Sequence, residues 1–358
     1  MKRLRHSVLF LLLMGVSSPL LAQNTGIPGV NLQYYRPAVD ASGFLANYSP
    51  QMMKKGKYFL QVSQDFALKH MLQVAVNGVS YDIVDSVYTT DVVGSYAFAD
   101  FLTAGVDIPI HAYARETNFN TLAGYTTSSM GDVMAALKFR LWEEGAKHPG
   151  LAFLVTTTFP TGDDTKFLGN GGVSPGATLI IGRKFKYASL AGNIGGVFSG
   201  SKNVLGVDFT SRLVYGTAVK VPFWFWDPLL SAMVELRGQV QPQDAQTITS
   251  PGGYSIGLRK EFKNGLIATV AGGAGWNNAI GNPRGRAIIS LGYSPPSPKT
   301  PSKVELVEPI RPRPKRKRTI LLRTHEKVAA PVVVEKAPTR SFLETLPKNS
   351  WLRKLLRS

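Results

Sequence analysis

An all-β fold is predicted for this chain, a transmembrane antiparallel up-and-down β-barrel of about twelve strands, each near the 9 to 11 residues that a tilted strand needs. Three observations predict it: an export signal, a long run of short apolar/polar alternations, and joints between them that are long and short in turn. Lys2, Arg3 and Arg5 precede the apolar run Val8 to Val16, so residues 1–22 read as a signal peptide cut before Gln23. The chain has no cysteine, which excludes a lipoprotein thioether or a disulfide. No later stretch reaches the roughly 18 to 20 apolar residues of a spanning helix.

Composition divides the remainder into an N-terminal periplasmic arm or plug (23–56), the barrel (57–294) and a Pro-rich basic periplasmic tail (295–358). Strands are expected at Lys57 to Leu72, Val87 to Ala99, Leu102 to Arg115, Met130 to Trp142, Pro149 to Thr161 and Ser174 to Phe185. They continue at Tyr187 to Ser199, Gly206 to Val221, Leu229 to Gln241, Gly252 to Phe262, Leu266 to Trp276 and Arg284 to Ser294. Successive side chains on a strand point oppositely. Thus Leu60, Val62 and Phe66 oppose Gln61, Ser63 and Asp65, and Ala135, Leu137 and Phe139 oppose Lys138 and Arg140.

Connections support a barrel over a sandwich. Gln73 to Ser86, Glu116 to Ser129 and Gly162 to Val173 are long, whereas Asp100-Phe101 and Lys186 are tight, and Asn264-Gly265 suits a type I′ hairpin. Outer-membrane barrels keep their short turns in the periplasm, and an even strand count then places both termini there. Tyr58, Tyr88, Phe98, Trp142, Phe159, Tyr187, Trp276 and Tyr293 fall toward strand ends, as interfacial aromatics do.

The net charge of +18 does not mark a nucleic-acid-binding domain. Sixteen Lys or Arg against five Glu lie beyond Ser294, and an exported chain seldom meets nucleic acid. Arg311, Arg313, Lys315, Arg316, Lys317 and Arg318 make the densest run, with alternating Pro that favours an extended backbone. A solvated linker is one expectation for it; contact with peptidoglycan, anionic lipid or an acidic periplasmic partner is the sharper one.

Parity sends Asp65, Lys69, Asp91, Asp107, Arg115, Asp132, Lys138, Arg140, Asp208, Arg212, Lys220, Glu235, Arg237, Arg259, Glu261 and Arg286 to the lumen, nine basic and seven acidic. Opposite charges facing one another across a narrow barrel pair instead of lining an open pore. The expectation is a narrow, partly filled lumen. His111 shares a face with Asp107, an arrangement open to acid–base work, but a satisfied polar group is the expected role. The five histidines are isolated and no nucleophile, phosphate-loop or metal-ligand motif appears, so no catalytic residue, metal or cofactor is assigned.

Phe159-Pro160-Thr161-Gly162-Asp163-Asp164, followed by Gly169-Asn170-Gly171-Gly172, resembles the strand-end signature of a family of bacterial outer-membrane barrels labelled for the meta-pathway of phenol degradation. Arg36-Pro37-Ala38-Val39-Asp40 with Gly43-Phe44-Leu45 is similar to the N-terminal arm of barrels that precede OmpA-like domains. The resemblance implies a porin-like or transport-related barrel; no OmpA-like domain follows it here. The function expected is a narrow outer-membrane channel for small solutes, embedded in outer-membrane lipid. The alternatives are an envelope-tethering protein acting through its basic tail and a soluble periplasmic β protein.

Overall fold

The computed structural model describes residues 30–296 except 43, 70–71, 77–78, 118–123, 205 and 243–246; for 73–76, 79–82, 112–117, 124–127 and 247 it describes the backbone alone. The signal peptide and the basic tail, with Arg311, Arg313, Lys315, Arg316, Lys317 and Arg318, lie outside the described residues.

The strands are β1 (Tyr58–Leu68), β2 (Leu72–Val76), β3 (Val79–Ala99), β4 (Leu102–Thr117), β5 (Gly124–Met130), β6 (Met134–Trp142), β7 (Gly150–Thr158) and β8 (Ser174–Lys184). They continue as β9 (Ser189–Val197), β10 (Lys202–Val204), β11 (Val207–Phe209), β12 (Arg212–Phe223), β13 (Asp227–Val240), β14 (Gly252–Glu261), β15 (Leu266–Gly275) and β16 (Gly285–Tyr293). Twelve of them make a closed antiparallel ring in the order β1-β3-β4-β6-β7-β8-β9-β12-β13-β14-β15-β16. Closure is the β1–β16 pairing, from Leu60 opposite Tyr293 to Leu68 opposite Gly285. A closed ring leaves no edge of unpaired N–H and C=O groups, which lipid could not satisfy.

Three features depart from the sequence expectation. Much of Gln73 to Ser86 and Glu116 to Ser129 is strand and not loop, since β2 pairs with the first half of β3, and β5 pairs with the second half of β4. These backbones satisfy their polar groups in ladders beyond the ring. The eighth expected strand begins at Arg212, because Val207–Phe209 folds back on Lys202–Val204 as a separate hairpin. At Asn264-Gly265, Gly265 takes φ +94 while Asn264 stays at negative φ. A type I′ turn requires positive φ at both central residues; a type I turn followed by a left-handed glycine fits instead.

The ring is inside out relative to a soluble protein. On β1, Leu60 (54%) and Val62 (48%) are exposed while Gln61, Ser63 and Asp65 are buried. The same holds round the ring: Ile194, Leu213, Val270, Ile289 and Leu291 are exposed, whereas Thr89, Asp91, Asp107, Lys138, Glu235 and Arg259 are buried. A contiguous apolar belt of this kind is a lipid-facing surface. The soluble β reading fails on it, since a sandwich closes around an apolar core. Aromatics collect at the short-turn end, where Tyr58 and Tyr293 lie 6.1 Å apart, Tyr187 and Trp224 5.3 Å apart, and Phe225 and Trp226 are open to the surroundings.

Candidate functional site: the occluded lumen

Residues 30–42 and 44–50 lie in the interior of the ring. At the long-loop end Val30 and Leu32 pack with Val87, Leu168, Val204 and Phe209, and the Leu32 amide donates to the Phe167 carbonyl at 3.3 Å. At the short-turn end the Gly56 amide donates to the Ala97 carbonyl at 2.8 Å. The described chain therefore begins at one end of the ring and leaves it at the other, through Ser294. An even strand count places both ends of the strand array on one side, but the arm runs back through the array. Pro37 and an Asp40 turn shape this path: the Ser42 amide donates to Asp40 Oδ1 at 2.9 Å, and the Ala38 amide to the Leu45 carbonyl at 2.9 Å.

The arm is held by buried polar groups on strands from different sides of the ring. Arg36 donates from Nη1 to Asp107 Oδ2 at 3.0 Å and from Nη2 to the Asp132 carbonyl at 2.7 Å. Lys138 Nζ donates to Asp40 Oδ2 at 2.5 Å and to the Gln51 carbonyl at 2.7 Å. The Glu235 carboxylate accepts from the amides of Leu45, Ala46 and Asn47 and from the Asn47 side chain. Asn193 clamps the Tyr48 backbone, accepting its amide at 2.8 Å and donating to its carbonyl at 2.9 Å. Gly216 lies against Asn47, where a Cβ would overlap the amide.

Of the residues that parity sends inward, Asp65, Asp91, Asp107, His111, Asp132, Lys138, Glu235 and Arg259 are buried. Arg140, Arg212, Lys220, Arg237, Glu261 and Arg286 are partly buried. Arg286 faces Asp65 at 3.3 Å, while Glu261 takes Arg259 at 3.3 Å and Lys220 at 3.5 Å. Arg140 pairs with Glu143 at 3.3 Å beside the short turn. Two assignments are corrected. Lys69 sits past the end of β1 at φ +67 and is exposed. Asp208 is exposed on the β10–β11 hairpin, accepting from Asn203 at 2.7 Å; the fold-back inverts the expected parity and buries Phe209. The Arg115 backbone lies on β4, and its side chain is outside the described residues.

The Pro-Thr-Gly segment has a local task. Thr161 Oγ1 donates to the Gly131 carbonyl and accepts from the Val133 amide, and Asp132 accepts from the amides of Gly162 at 3.0 Å and Asn170 at 2.6 Å. Burial raises the Asp132 carboxyl above its ordinary value, and these two amides with Arg36 and Lys202 oppose that rise. Asp163 is held below the ordinary carboxylate range, chiefly by the Thr165 hydroxyl at 2.6 Å. It caps a short 3-10 turn (Asp164–Lys166), after which Phe167 at φ +60 turns Leu168 into the mouth of the ring.

No catalytic geometry links His111 to Asp107. They stand four residues apart on one strand, roughly 13 Å by its rise, and His111 Nδ1 faces Thr89 Oγ1 at 2.9 Å. Among the described residues no three His, Asp or Glu gather as a metal site. Space remains beside the arm among the described residues, including cavities of about 130, 90 and 40 Å³. Sequence reasoning left Gln33, Arg36, Asp40, Asn47 and Asn193 unassigned; the charges of Arg36 and Asp40 in an otherwise uncharged stretch from residue 24 to 53 were the available signal.

A closed ring with a lipid-facing belt and a charged, filled interior defines an outer-membrane β-barrel. Residues 59–281 match the family described as "Putative MetA-pathway of phenol degradation", and the chain belongs to that family. Among solved structures, an outer-membrane channel from Pseudomonas putida F1 is 16% identical with a TM-score of 0.49, covering 70% of this chain and 100% of its own. The NanC porin is 9% identical with a TM-score of 0.45, covering 66% and 98% respectively. The CymD monoaromatic hydrocarbon channel is 11% identical with a TM-score of 0.35, covering 68% and 89%. No curated protein matches the sequence.

Proposed function

We propose that this protein is a narrow, non-enzymatic outer-membrane channel for small solutes whose resting lumen is filled by residues 30–50. The observation that carries the reading is the arm's passage from one end of the ring to the other, anchored by Asp107, Lys138, Asn193 and Glu235. A twelve-stranded ring is wider than its own wall side chains fill, and the arm occupies the difference. Short turns face the periplasm in such barrels. On that orientation Ser294 leads into the periplasm and Val30 lies at the outer mouth.

The test is planar-bilayer recording of the full chain and of a variant lacking residues 30–50. The full chain should conduct weakly, and the deletion should raise single-channel conductance several-fold. Equal conductance would remove the occluding role of the arm, and a silent bilayer in both cases would favour a sealed anchor over a channel.

A further inference from the structure

The charges of the interior are not evenly neutralised. Arg36, Lys138, Lys220, Arg259 and Arg286 each have a carboxylate within 3.5 Å. Arg212 and Arg237 have none within ion-pair distance among the described residues. Among the described residues Arg237 Nη1 donates to the Arg36 carbonyl alone, at 3.5 Å, and Arg212 Nε is buried with no hydrogen-bond partner. Both arginines, together with Arg36, line the cavity of about 130 Å³ between the arm and the wall from β6 to β13, and no Asp or Glu lines it. That volume is roughly ten times the 10 to 15 Å³ that one water needs. Met134 and Leu154 give it an apolar side, with Tyr34 beside the arginines.

Cations also line the two smaller cavities toward the long loops. Arg212 borders the cavity of about 40 Å³ at the long-loop end, which Lys202 lines too. Arg237 borders the cavity of about 90 Å³, which Arg286 also lines. In that third cavity Glu235 is the one carboxylate, and its oxygens are occupied by the amides of the arm. A guanidinium withdrawn from water without an anionic partner is costly, whereas a planar carboxylate accepts two of its N–H groups at once.

We propose that the Arg212–Arg237 cavity binds a small organic carboxylate, its oxygens against the two guanidinium groups and its apolar body against Met134 and Leu154. This rests on the channel reading only in that the ligand enters through the lumen. Sequence parity places both arginines inward but cannot tell which cations the arm leaves unmatched.

Benzoate, with benzyl alcohol as its uncharged counterpart, is the probe. Calorimetric titration of the folded full chain in detergent, at constant ionic strength, should give benzoate at least tenfold tighter binding than benzyl alcohol. The double variant Arg212→Gln/Arg237→Gln should weaken benzoate at least tenfold and leave benzyl alcohol unchanged. Equal affinity for the two probes, displacement of benzoate by equimolar chloride, or an unaltered double variant overturns the proposal. If the double variant does not fold, phenylglyoxal labelling of the natural sequence decides. Benzoate should protect Arg212 and Arg237 but not the exposed Arg284, and labelling indifferent to benzoate overturns the site. Bilayer recordings on the same preparation separate the two ideas, since binding with a silent bilayer defeats the channel alone, and conduction without benzoate binding defeats the site alone.

Discussion

Along β1, β3 and β4 the inner face carries Asp65, Asp91 and Asp107, whereas along β12, β13 and β14 it carries Arg212, Arg237 and Arg259. The arm treats these two walls differently. To the acidic wall it brings the Arg36 guanidinium on Asp107 and the Gln33 amide, 3.4 Å from Asp91. To the basic wall it brings mostly backbone groups: the carbonyls of Arg36 and Ala41, 3.5 and 3.4 Å from Arg237 and Arg259, and the amides of Leu45, Ala46 and Asn47 on Glu235, while Arg259 has Glu261 of its own strand as its carboxylate. A carbonyl satisfies an N–H but does not neutralise a charge. The two larger cavities are both lined by Arg237, which has no carboxylate partner among the described residues, and neither is lined by Asp65, Asp91 or Asp107. A buried charge in this lumen finds its partner on the arm or on a nearby strand more than along its own strand.

The sharpest way to break the comparison is to remove one arginine from each side. Arg36→Ala leaves Asp107 buried without its cation, so it should cost about 3 to 5 kcal/mol. Arg237→Gln removes a charge that has no carboxylate partner and should cost less than about 1 kcal/mol. Denaturant midpoints read from heat-dependent gel migration would measure both; equal losses would mean that the walls are alike.

A second pair sets inside against outside on one strand. Lys138→Leu strands the buried Asp40 and should cost about 3 to 5 kcal/mol. Leu137→Arg beside it puts a charge on the lipid face at about 2 to 4 kcal/mol. From the sequence alone the order is the reverse, since a lumen lysine reads as a replaceable partner; the Asp40 contact is what raises its cost. Refolding yield into vesicles, compared for the two variants, would settle the order. The smallest effect belongs to Asp208→Ala on the exposed hairpin, within about 0.5 kcal/mol. A larger loss there would return Asp208 to a structural role.

Fold and faces were legible because strand parity is a local rule. Each expected strand has its counterpart in the ring, from Lys57 to Leu72 on β1 to Arg284 to Ser294 on β16, and the inward assignments of Asp65, Asp91, Asp107, Lys138 and Glu235 follow from period two alone. Parity failed at Asp208, where a hairpin replaced the start of a strand, and at Lys69, where the chain turns at positive φ. Neither break has a pattern in sequence, because both depend on what the loop packs against, here the Leu168 and Phe209 cluster at the mouth.

The sequence by itself determined the barrel, its strand number, its lipid-facing side and the presence of many charges of both signs inside, because backbone satisfaction in lipid and side-chain alternation are properties of neighbouring residues. Only the tertiary structure decided which charges meet. Arg36 reaches Asp107 over 71 positions of chain, and Glu235 holds Asn47 over 188. Such pairings are set by how the arm folds within a closed ring. That path is a balance of desolvation against partners on several strands at once, so it leaves no periodic trace in the order of the residues.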